Sequence, residues 1–414
     1  MRNCLVAQSG GPTSVINASV VGVVEENKEC KYYDKVYAGI NGIEGILEKR
    51  IVDLTKLTDE ELNLLKYTPS SALGSCRYKI KNFEENDEEY IKFFNILDSL
   101  DIHTFFYIGG NDSMDTVSKL SEYAKLKGID KQIIGIPKTI DNDLQYTDHT
   151  PGYGSAAKYI ATLVLETYLD SSVYTNNGIF ILETMGRDTG WLAASASLAK
   201  LNGKQVADFI YLPEVVFSKE DFLRDVRKKF EEKNKVYIVV SEGLKNEEGN
   251  YLYDIEVAND HDSFSHPQLG GVGSYLENLI IDAGITQRVK VLELGVAQRC
   301  AMHIASKTDI EEAYLVGKAA LKYSIKGHTG FMVALNRLGN NPYSVETFKV
   351  EASKIANEIK YFPKEWIAAE NNNVTEEAFD YIHPLILGEP NLTIENGIFK
   401  YFNILDKVKQ YIKY

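Results

Sequence analysis

A repeated alternation of apolar runs with helical segments is the feature that most constrains the fold of this sequence. Each short run is followed by a loop and then by residues with a helical pattern. Strands separated by helices predict parallel sheets with crossover connections, in which ligands bind beyond the carboxyl ends of the strands. We therefore predict an α/β protein whose functional residues follow the apolar runs at residues 3–8, 104–108, 132–136, 178–183 and 235–241.

The composition disfavours several classes of partner. The 414 residues carry a formal charge of −14, whereas nucleic acid and anionic membrane surfaces both require clustered Lys and Arg. No apolar run approaches the roughly 18 residues of a membrane span, and no apolar signal-peptide segment follows Arg2. The cysteines lack CxxC spacing, which favours reduced thiols in a cytoplasmic protein; they are Cys4, Cys30, Cys76 and Cys300. We expect no nucleic-acid partner and no membrane partner.

Two glycine pairs follow predicted strands and precede helical segments. They are Gly10-Gly11 and Gly109-Gly110. Such turns can arrange backbone amides around a phosphate, although a tight turn without a ligand explains either pair equally well. Neither pair belongs to a GxGxxG or GxxxxGK[ST] motif, which disfavours a dinucleotide or Walker-type site. Asp112 follows the second pair, so a carboxylate occupies a place where an anion is expected to bind.

The segment PKTIDND, residues 137–143, is the most informative one. It combines a lysine, a hydroxyl and two carboxylates in Lys138, Thr139, Asp141 and Asp143. If the segment is extended, residues two apart share a side, so one carboxylate can accept a proton from an attacking hydroxyl while the other helps to hold Mg²⁺. The alternative is a turn with solvated carboxylates, which the preceding apolar run and the adjacent lysine make less favoured.

Further polar residues lie near the ends of other predicted strands. Arg187 lies at a strand-to-helix turn, where a guanidinium can reach a sugar phosphate, and Glu242 is suited to bind sugar hydroxyls. Basic residues that can bind a second phosphate, or equally form ordinary ion pairs, are Arg77, Arg288, Lys290 and Arg299. His261 and His266 have no partner ligands at helical spacing, so we interpret them as loop residues rather than as a metal site.

The order of these motifs resembles that of the 6-phosphofructokinase family. The set is QSGGP, LGSCR, GGNDS, PKTIDND, GYGSAA, ETMGR, SEG and QR, of which PKTIDND and MGR are specific. The resemblance implies an α/β fold of two Rossmann-like three-layer domains with mostly parallel sheets, plus a C-terminal extension. We expect a donor-binding domain in residues 1–150 with 300–345, a sugar-phosphate-binding domain in 151–299 and the extension in 346–414.

The resemblance also implies roles for individual residues. Asp141 would be the general base that takes the proton from the sugar C1 hydroxyl, flanked by Thr139. Asp143 would lie near Mg²⁺, the expected cofactor. Gly10 and Gly110 would contact the phosphate donor. The residues expected to bind the sugar phosphate, together with Thr139 and Asp141, are Met185, Gly186, Arg187, Glu242, Arg288 and Arg299, the last on the 6-phosphate.

At the positions of Asp112 and Lys138, the sequence resembles the pyrophosphate-dependent branch of that family. ATP-dependent members usually have Gly at the position of Asp112 and commonly Gly at that of Lys138. If two phosphates fill the site, the α-phosphate of ATP would lie near Asp112, and the two anions would repel by on the order of several kcal/mol. Asp112 would thus exclude a nucleotide, and Lys138 would stabilise the phosphoryl group in transfer. Both are therefore counted among the catalytic candidates.

Three departures from the family pattern concern the metal and the acceptor. Asn111 stands where many members have a metal-linked Asp, and an amide oxygen remains a possible ligand of Mg²⁺. Val296 stands where many members have a phosphate-binding His. Gly178 stands where an Arg often reaches into a neighbouring subunit, a role that Arg288 or Lys290 could take.

We therefore expect a reversible, glycolytic phosphotransferase that moves a phosphoryl group from pyrophosphate to the C1 hydroxyl of fructose 6-phosphate. The alternatives are an ATP-dependent 6-phosphofructokinase and a catalytically silent sugar-phosphate sensor of the same fold, and the intact Asp141 argues against the sensor. Sedoheptulose 7-phosphate is a conceivable second acceptor. PKTIDND and MGR argue against a diacylglycerol- or NAD-kinase-like enzyme. The resemblance further implies a homodimer or homotetramer.

Overall fold

Strands and helices alternate along the chain as the sequence pattern predicts. The computed structural model describes residues 2–175, 178–252 and 270–407, which leaves His261 and His266 outside the described residues. The strands are Asn3–Gln8 (β1), Lys35–Gly39 (β2), Ile51–Asp53 (β3), Ile102–Gly109 (β4), Gln132–Pro137 (β5), Gly178–Thr184 (β6), Lys200–Leu201 (β7), Lys204–Gln205 (β8), Phe209–Tyr211 (β9), Lys235–Ser241 (β10), Val289–Glu293 (β11), Phe331–Asn340 (β12), Tyr343–Glu351 (β13), Ile394–Glu395 (β14) and Ile398–Phe399 (β15).

The helices connect most of these strands. They are Ile16–Cys30 (α1), Gly42–Leu47 (α2), Asp59–Lys66 (α3), Glu88–Ser99 (α4), Asn111–Lys127 (α5), Tyr153–Ser171 (α6), Trp191–Ala194 (α7), Lys219–Lys233 (α8), Val272–Asp282 (α9), Ala297–Cys300 (α10), Lys307–Ile325 (α11), Glu376–Ile382 (α12) and Ile404–Lys407 (α13). Among the helices of the described residues, none combines the length and the apolar composition that crossing a membrane requires.

Contacts divide the chain into two units. Unit 1 comprises residues 1–155, 299–359 and 388–414, and unit 2 comprises residues 156–298 and 360–387. The first boundary falls inside the segment 147–157, which the sequence marks as a plausible hinge. Residues 346–414, predicted as one extension, are shared between both units in this division. The assignment of a ligand to each domain stays a prediction.

Unit 1 contains a seven-stranded sheet in the order β13-β12-β5-β4-β1-β2-β3. Its central pairs, β2 with β1, β1 with β4, β4 with β5 and β5 with β12, are parallel, and the edge strands β3 and β13 are antiparallel to their neighbours. Because β1, β4 and β5 are parallel neighbours, their carboxyl ends meet at one edge of the sheet. The predicted α/β class with mostly parallel sheets is confirmed.

Helices cover both faces of this sheet. Cys4 and Val6 enter a core that includes α1 and α11, whereas Leu5 and Ala7 enter a second core that includes α4 and α5. Alternate side chains of a strand point to opposite faces, so the interior of the buried β1 is apolar at consecutive positions, from Cys4 to Ala7. The result is a three-layer arrangement.

The two helices on one face approach each other closely. A Cβ atom at Gly22 of α1 would lie 2.2 Å from the carbonyl oxygen of Tyr314, and one at Gly317 of α11 would lie 2.1 Å from that of Ser19. Only glycine fits at such a backbone contact. This crossing fixes α11 on the sheet, and α11 carries the acidic residues that anchor the segment after Lys138.

Unit 2 contains a four-stranded parallel sheet in the order β11-β6-β10-β9. One face packs on α8 and α9 through a core that includes Ile181, Ile238 and Leu276. The carboxyl ends of β6 and β10 are adjacent, since Thr184 is paired with Ser241. Residues that follow these two strands are therefore neighbours.

Several predicted boundaries were wrong. The helical pattern expected after β6 is only the short α7, because residues 185–190 form a loop first. The acidic run FEENDEEY, residues 83–90, is typical of a solvated helix face and predicts a helix there, but α4 begins only at Glu88. The charged run at residues 227–235 does belong to a helix, α8, which ends at Lys233.

Candidate active site

The carboxyl ends of β1, β4 and β5 bring both glycine turns and the PKTIDND segment together. Ser9 donates its N–H to Ile108 at 2.9 Å, and Lys138 donates its N–H to Gly109 at 3.0 Å. Gly10, with φ of 72°, donates its N–H to the carbonyl of Cys76 at 3.0 Å. Three loops that the sequence placed after separate strands therefore form one surface.

Lys138 is the centre of this surface. Its side chain is buried, and Nζ donates a hydrogen bond to the carbonyl oxygen of Gly11 at 2.6 Å. A Cβ atom at Gly10 would lie 3.3 Å from the same Nζ. Burial lowers the pKa of Lys138 to about 8, although the Asp141 carboxylate opposes the shift. An ammonium group thus lies directly against the first glycine turn.

Charged side chains surround this ammonium group. Lys138 interacts electrostatically with the carboxylates of Asp141 and Asp143 and with the guanidinium groups of Arg77 and Arg299. Burial and the nearby Arg77 lower the pKa of Arg299. Three cations this close raise one another's energy, so an anion bound among them is favoured.

Arg299 lies beside the first glycine turn. A Cβ atom at Gly11 would lie 3.2 Å from its Nη1. Arg299 belongs to unit 1 in the contact division, together with Lys138 and Asp141. The structure therefore brings together the glycine turns, Lys138 and Arg299.

The PKTIDND segment is not extended, which corrects the conditional expectation that Asp141 and Asp143 share a side. Asn142, between them, has a φ of 53°, and its Oδ1 accepts a hydrogen bond from the Thr150 N–H at 3.0 Å. Asparagine tolerates this left-handed conformation better than most residues. The Thr139 hydroxyl donates a hydrogen bond to the Asp141 carboxylate at 3.4 Å and accepts one from the Asp141 N–H at 3.1 Å.

Helix α5 begins at Asn111, whereas the sequence pattern predicts a helix from Met114 to Lys127, so Asp112 lies in its first turn. Gly110 is the N-cap residue and makes no side-chain cap. A carboxylate in the first turn of a helix is stabilised by the helix dipole. Asp112 thus has a local physical reason for its position, in addition to any effect on a ligand.

The side chain of Asn111 binds the main chain of a later segment. Its Nδ2 donates to the carbonyl of Glu358, and its Oδ1 accepts from the N–H of Asn357. Gln145 also binds this segment, donating to the carbonyl of Ile359 at 2.8 Å. Residues 357–359 therefore connect the start of α5 with the loop that follows Asp143.

The oxygen donors fit a magnesium ion that arrives with phosphate. The described residues contain no group of three or more His, Cys, Asp or Glu side chains arranged to hold a metal. Mg²⁺ is commonly held by one or two carboxylates, with phosphate oxygens and water completing its shell. Asp141 and Asp143, next to a cationic surface, are donors of that kind.

Unit 2 brings a second group of the predicted residues together. Glu242 follows β10 and accepts a hydrogen bond at Oε1 from the N–H of Gly186, which follows β6, at 3.4 Å. Met185 donates its N–H to Gln298 at 3.2 Å. Gly186 has a φ of 126°, and its carbonyl accepts a hydrogen bond from the hydroxyl of Ser241. Met185, Gly186, Arg187 and Glu242 form one loop cluster.

Arg288 is not part of this cluster. It precedes β11, and its carbonyl accepts the N–H of Ile179 at 2.8 Å. Arg288 therefore lies at the amino ends of the unit 2 strands, opposite the carboxyl ends that carry the cluster. Its guanidinium lies 5.9 Å from the ring centre of Tyr174. A Cβ atom at Gly178 would lie 2.2 Å from the carbonyl oxygen of Arg288. Gly178 is therefore required by close packing.

Sequence reasoning underestimated some members of the unit 1 surface. Arg77 was noted but not assigned, although it acts on both Lys138 and Arg299. Ser75, whose hydroxyl donates to the carbonyl of Gly10 at 2.6 Å, was not considered. The LGSCR motif that contains both was the available signal.

The fold and the cationic surface at the strand ends are typical of a class of phosphoryl-transfer protein. A family model described as phosphofructokinase matches residues 3–323, and the chain belongs to this family. The motif resemblance and the predicted fold are thus confirmed.

Individual relatives are similar over almost their whole length. A pyrophosphate--fructose 6-phosphate 1-phosphotransferase of Methylococcus capsulatus is 41% identical over 408 residues, which is 97% of this chain and 96% of the relative. One of the same name from Halomonas elongata is 39% identical over 96% of this chain and 94% of its own. The crystal structure of a pyrophosphate-dependent phosphofructokinase from Nitrosospira multiformis has a TM-score of 0.87 and 36% identity, covering 97% of this chain and 96% of that one.

Proposed function

We propose that this protein transfers a phosphoryl group reversibly from pyrophosphate to the C1 hydroxyl of fructose 6-phosphate. The observation that carries the proposal is the buried Lys138 ammonium against the Gly10-Gly11 turn, with Asp112 in the first turn of α5. The first supplies a cation for a transferring phosphoryl group, and the second is an anion that disfavours a further phosphate. The names of the relatives agree with this donor.

We assign the chemistry to residues of the PKTIDND segment. Asp141 accepts the proton of the C1 hydroxyl as the sugar oxygen bonds to phosphorus, while the bridging phosphorus–oxygen bond of pyrophosphate breaks and phosphate leaves. Thr139 orients the Asp141 carboxylate. Lys138 stabilises the charge on the phosphoryl oxygens in transfer. When bound, Mg²⁺ neutralises phosphate charge; Asp143 is the proposed contact, and the metal role of Asn111 stays a prediction.

The acceptor is assigned to the following residues. Met185, Gly186, Arg187 and Glu242, which cluster in unit 2, bind the sugar phosphate, and Arg299 binds its 6-phosphate. Gly10 and Gly110 contact the donor through their main chain. The opposite position of Arg288 in the unit 2 sheet argues against its acting with that cluster within one chain. We infer that it serves another subunit of a homodimer or homotetramer. Sedimentation analysis would test whether such an oligomer forms.

Initial rates with fructose 6-phosphate and Mg²⁺ test the donor. We expect turnover with pyrophosphate and none with ATP. The double variant Asp112→Gly with Lys138→Gly should gain ATP-dependent turnover, because the repulsive carboxylate is absent. Asp115→Asn, one turn further along α5 and ion-paired to Lys119 at 2.7 Å, is the matched control and should keep the preference for pyrophosphate.

Two results would contradict the proposal. Comparable turnover of ATP by the unmodified protein would remove the donor assignment and favour the ATP-dependent alternative. Binding of both substrates without turnover would favour the silent sensor. An Asp141→Ser variant should lose most of kcat while it still binds pyrophosphate, because only the proton acceptor is lost.

A further inference from the structure

A buried charged network lies directly behind the loop that carries Asp141. His149 is 1% exposed and Glu312 is 5% exposed. The imidazole lies between two carboxylates, with Nδ1 2.7 Å from Asp148 Oδ1 and Nε2 2.5 Å from Glu312 Oε2. Both ring nitrogens face acceptors, which is the arrangement of a protonated imidazolium.

Other groups complete the pairing around this imidazole. Arg337 of β12 donates to Asp148 Oδ1 at 2.8 Å, and the Tyr343 hydroxyl of β13 donates to Glu312 Oε1 at 2.5 Å. Burial alone would lower the pKa of His149, but Glu312 and Asp148 raise it to about 9. Two cations and two carboxylates thus balance, which a buried network requires.

The same stretch of chain is tied to the PKTIDND segment and to α11. The Thr150 hydroxyl donates to the carbonyl of Thr139 at 3.0 Å, and its N–H binds Asn142 as described. Asp309 of α11 accepts the N–H groups of Gly152 at 2.8 Å and Ser155 at 2.9 Å. Burial raises the pKa of this carboxyl to about 6. His149 is thus followed directly in the chain by Thr150, whose hydrogen bonds reach Thr139 and Asn142 on both sides of Asp141.

We propose that His149, held between Asp148 and Glu312, is a positioning residue that fixes the loop carrying Asp141. It acts by anchoring residues 148–150 on α11 and on the hairpin of β12 and β13, which keeps Thr139 and Asn142 in place on either side of the base. The inference rests on the proposed function, since it concerns the geometry of Asp141.

The kinetic test compares His149→Gln with a control histidine variant in the same unit. Loss of the cation leaves Glu312 without its imidazolium partner, so the loop loosens and kcat falls by about tenfold to a hundredfold, the usual cost of a small misplacement. The KM for pyrophosphate should change little, because Lys138 and the main chain of Gly10 remain. His328→Gln is the control, since His328 interacts with Lys349 at an exposed site. It should behave as the unmodified protein.

A double variant with balanced charge distinguishes the loss of the charged network from the change of side chain at position 149. His149→Gln with Glu312→Gln removes the uncompensated carboxylate, and we expect it to recover part of the lost kcat. Amide hydrogen exchange at Asp141 and Thr150 should be faster in His149→Gln than in either the control or the double variant. Unchanged kcat and unchanged exchange in His149→Gln would overturn the inference.

The pH dependence of stability gives an independent readout. Because the folded pKa of His149 is raised, its stabilisation is present in full below about 6.5, the ordinary pKa, and is lost as the pH rises through about 9. The unfolding temperature of the unmodified protein, relative to that of His149→Gln, should therefore fall across this window.

Nuclear magnetic resonance decides the same point if a variant fails to fold. The imidazole of His149 in the unmodified protein should titrate near 9, and titration at or below 6.5 would overturn the inference. Absence of turnover in the unmodified protein would sink the proposed function instead. The titration and the hydrogen exchange would still decide whether the charged network fixes the loop.

Discussion

Lys138 carries a charge that depends on pH near neutrality. Its pKa of about 8 is lowered by burial, so the free protein loses this cation as the pH rises through about 8. We expect kcat/KM for pyrophosphate to fall over that range, because kcat/KM reports groups of the free enzyme. Bound pyrophosphate favours the ammonium, so the corresponding fall in kcat should occur at higher pH.

Variants identify the group responsible for this pH dependence. Lys138→Met should have a low rate without the decline near pH 8. Lys131→Met is the control: Lys131 immediately precedes β5, at the opposite end from Lys138, and pairs with Asp98 at 2.7 Å. It should keep the decline. A decline near pH 8 that persists in Lys138→Met would assign it to another group.

Asn111 offers a second prediction for a single side chain. An aspartate cannot donate to the carbonyl of Glu358, so Asn111→Asp should detach residues 357–358 from α5 and cost about 1 kcal/mol of unfolding free energy. We expect a higher KM for pyrophosphate and no gain in Mg²⁺ affinity. Urea unfolding and a magnesium titration measure the two effects.

The control for Asn111 carries the same change of charge elsewhere. Asn95→Asp lies on the exposed side of α4 and should alter neither quantity. An Asn111→Asp variant that binds Mg²⁺ more tightly would instead support the metal role that the resemblance implies.

At the scale of elements, the turn between β4 and α5 contains one glycine that packing requires and one that we propose contacts the donor. A Cβ atom at Gly110 would have its nearest contact 3.6 Å away, at the carbonyl of Lys138, whereas one at Gly109 would lie 1.9 Å from Ser113 Oγ. Gly110→Ala should therefore leave stability within about 0.5 kcal/mol but raise the KM for pyrophosphate, because the methyl group blocks approach to the main chain.

Two further glycine variants serve as controls for Gly110→Ala. Gly109→Ala should destabilise the protein through its clash. Gly339→Ala, whose Cβ would have its nearest contact 3.7 Å away, should change neither stability nor KM. Thermal unfolding and steady-state rates measure all three. An unchanged KM in Gly110→Ala would show that this turn does not contact the donor.

The buried strands could be predicted from the sequence, because each is a short run of residues whose composition by itself favours a strand. The run at residues 235–241 matches β10 at both ends, since seven consecutive residues suited to a buried parallel strand leave little choice. The start of α5 was missed because Asn111 and Asp112 read equally well as loop residues and as first-turn residues. Only the chain geometry after Gly110 decides between them.

The positions of site residues that directly follow strands could be predicted from the sequence. Positions and conformations that depend on residues distant in the chain could not. Gly10, Gly110 and Lys138 converge because they follow neighbouring parallel strands. The left-handed conformation of Asn142 depends on Thr150, and the position of Arg288 depends on strand register. Neither is encoded in the local sequence, so neither could be read from it.

At the scale of the whole molecule, the last described helix, α13, contributes Ile404 to the core of unit 1. Ile404 is fully buried there, and Phe402 donates its N–H to the Thr68 hydroxyl at 2.9 Å. Ile404→Ala should cost about 2–5 kcal/mol of unfolding free energy, because it leaves a cavity. Ile398→Ala, at a side chain that is 74% exposed, should cost less than about 0.5 kcal/mol. Equal stability of the two variants, measured in urea, would contradict this packing.

The position of β12 in the unit 1 sheet bears on how the chain is synthesised. Its partner β5 ends at Pro137, but β12 begins only at Phe331. A ribosome that adds roughly 5–20 residues per second leaves that edge of the nascent sheet open for on the order of ten seconds or more. An uncovered strand edge invites pairing with other chains. We therefore expect the newly made chain to be most prone to aggregation during that interval.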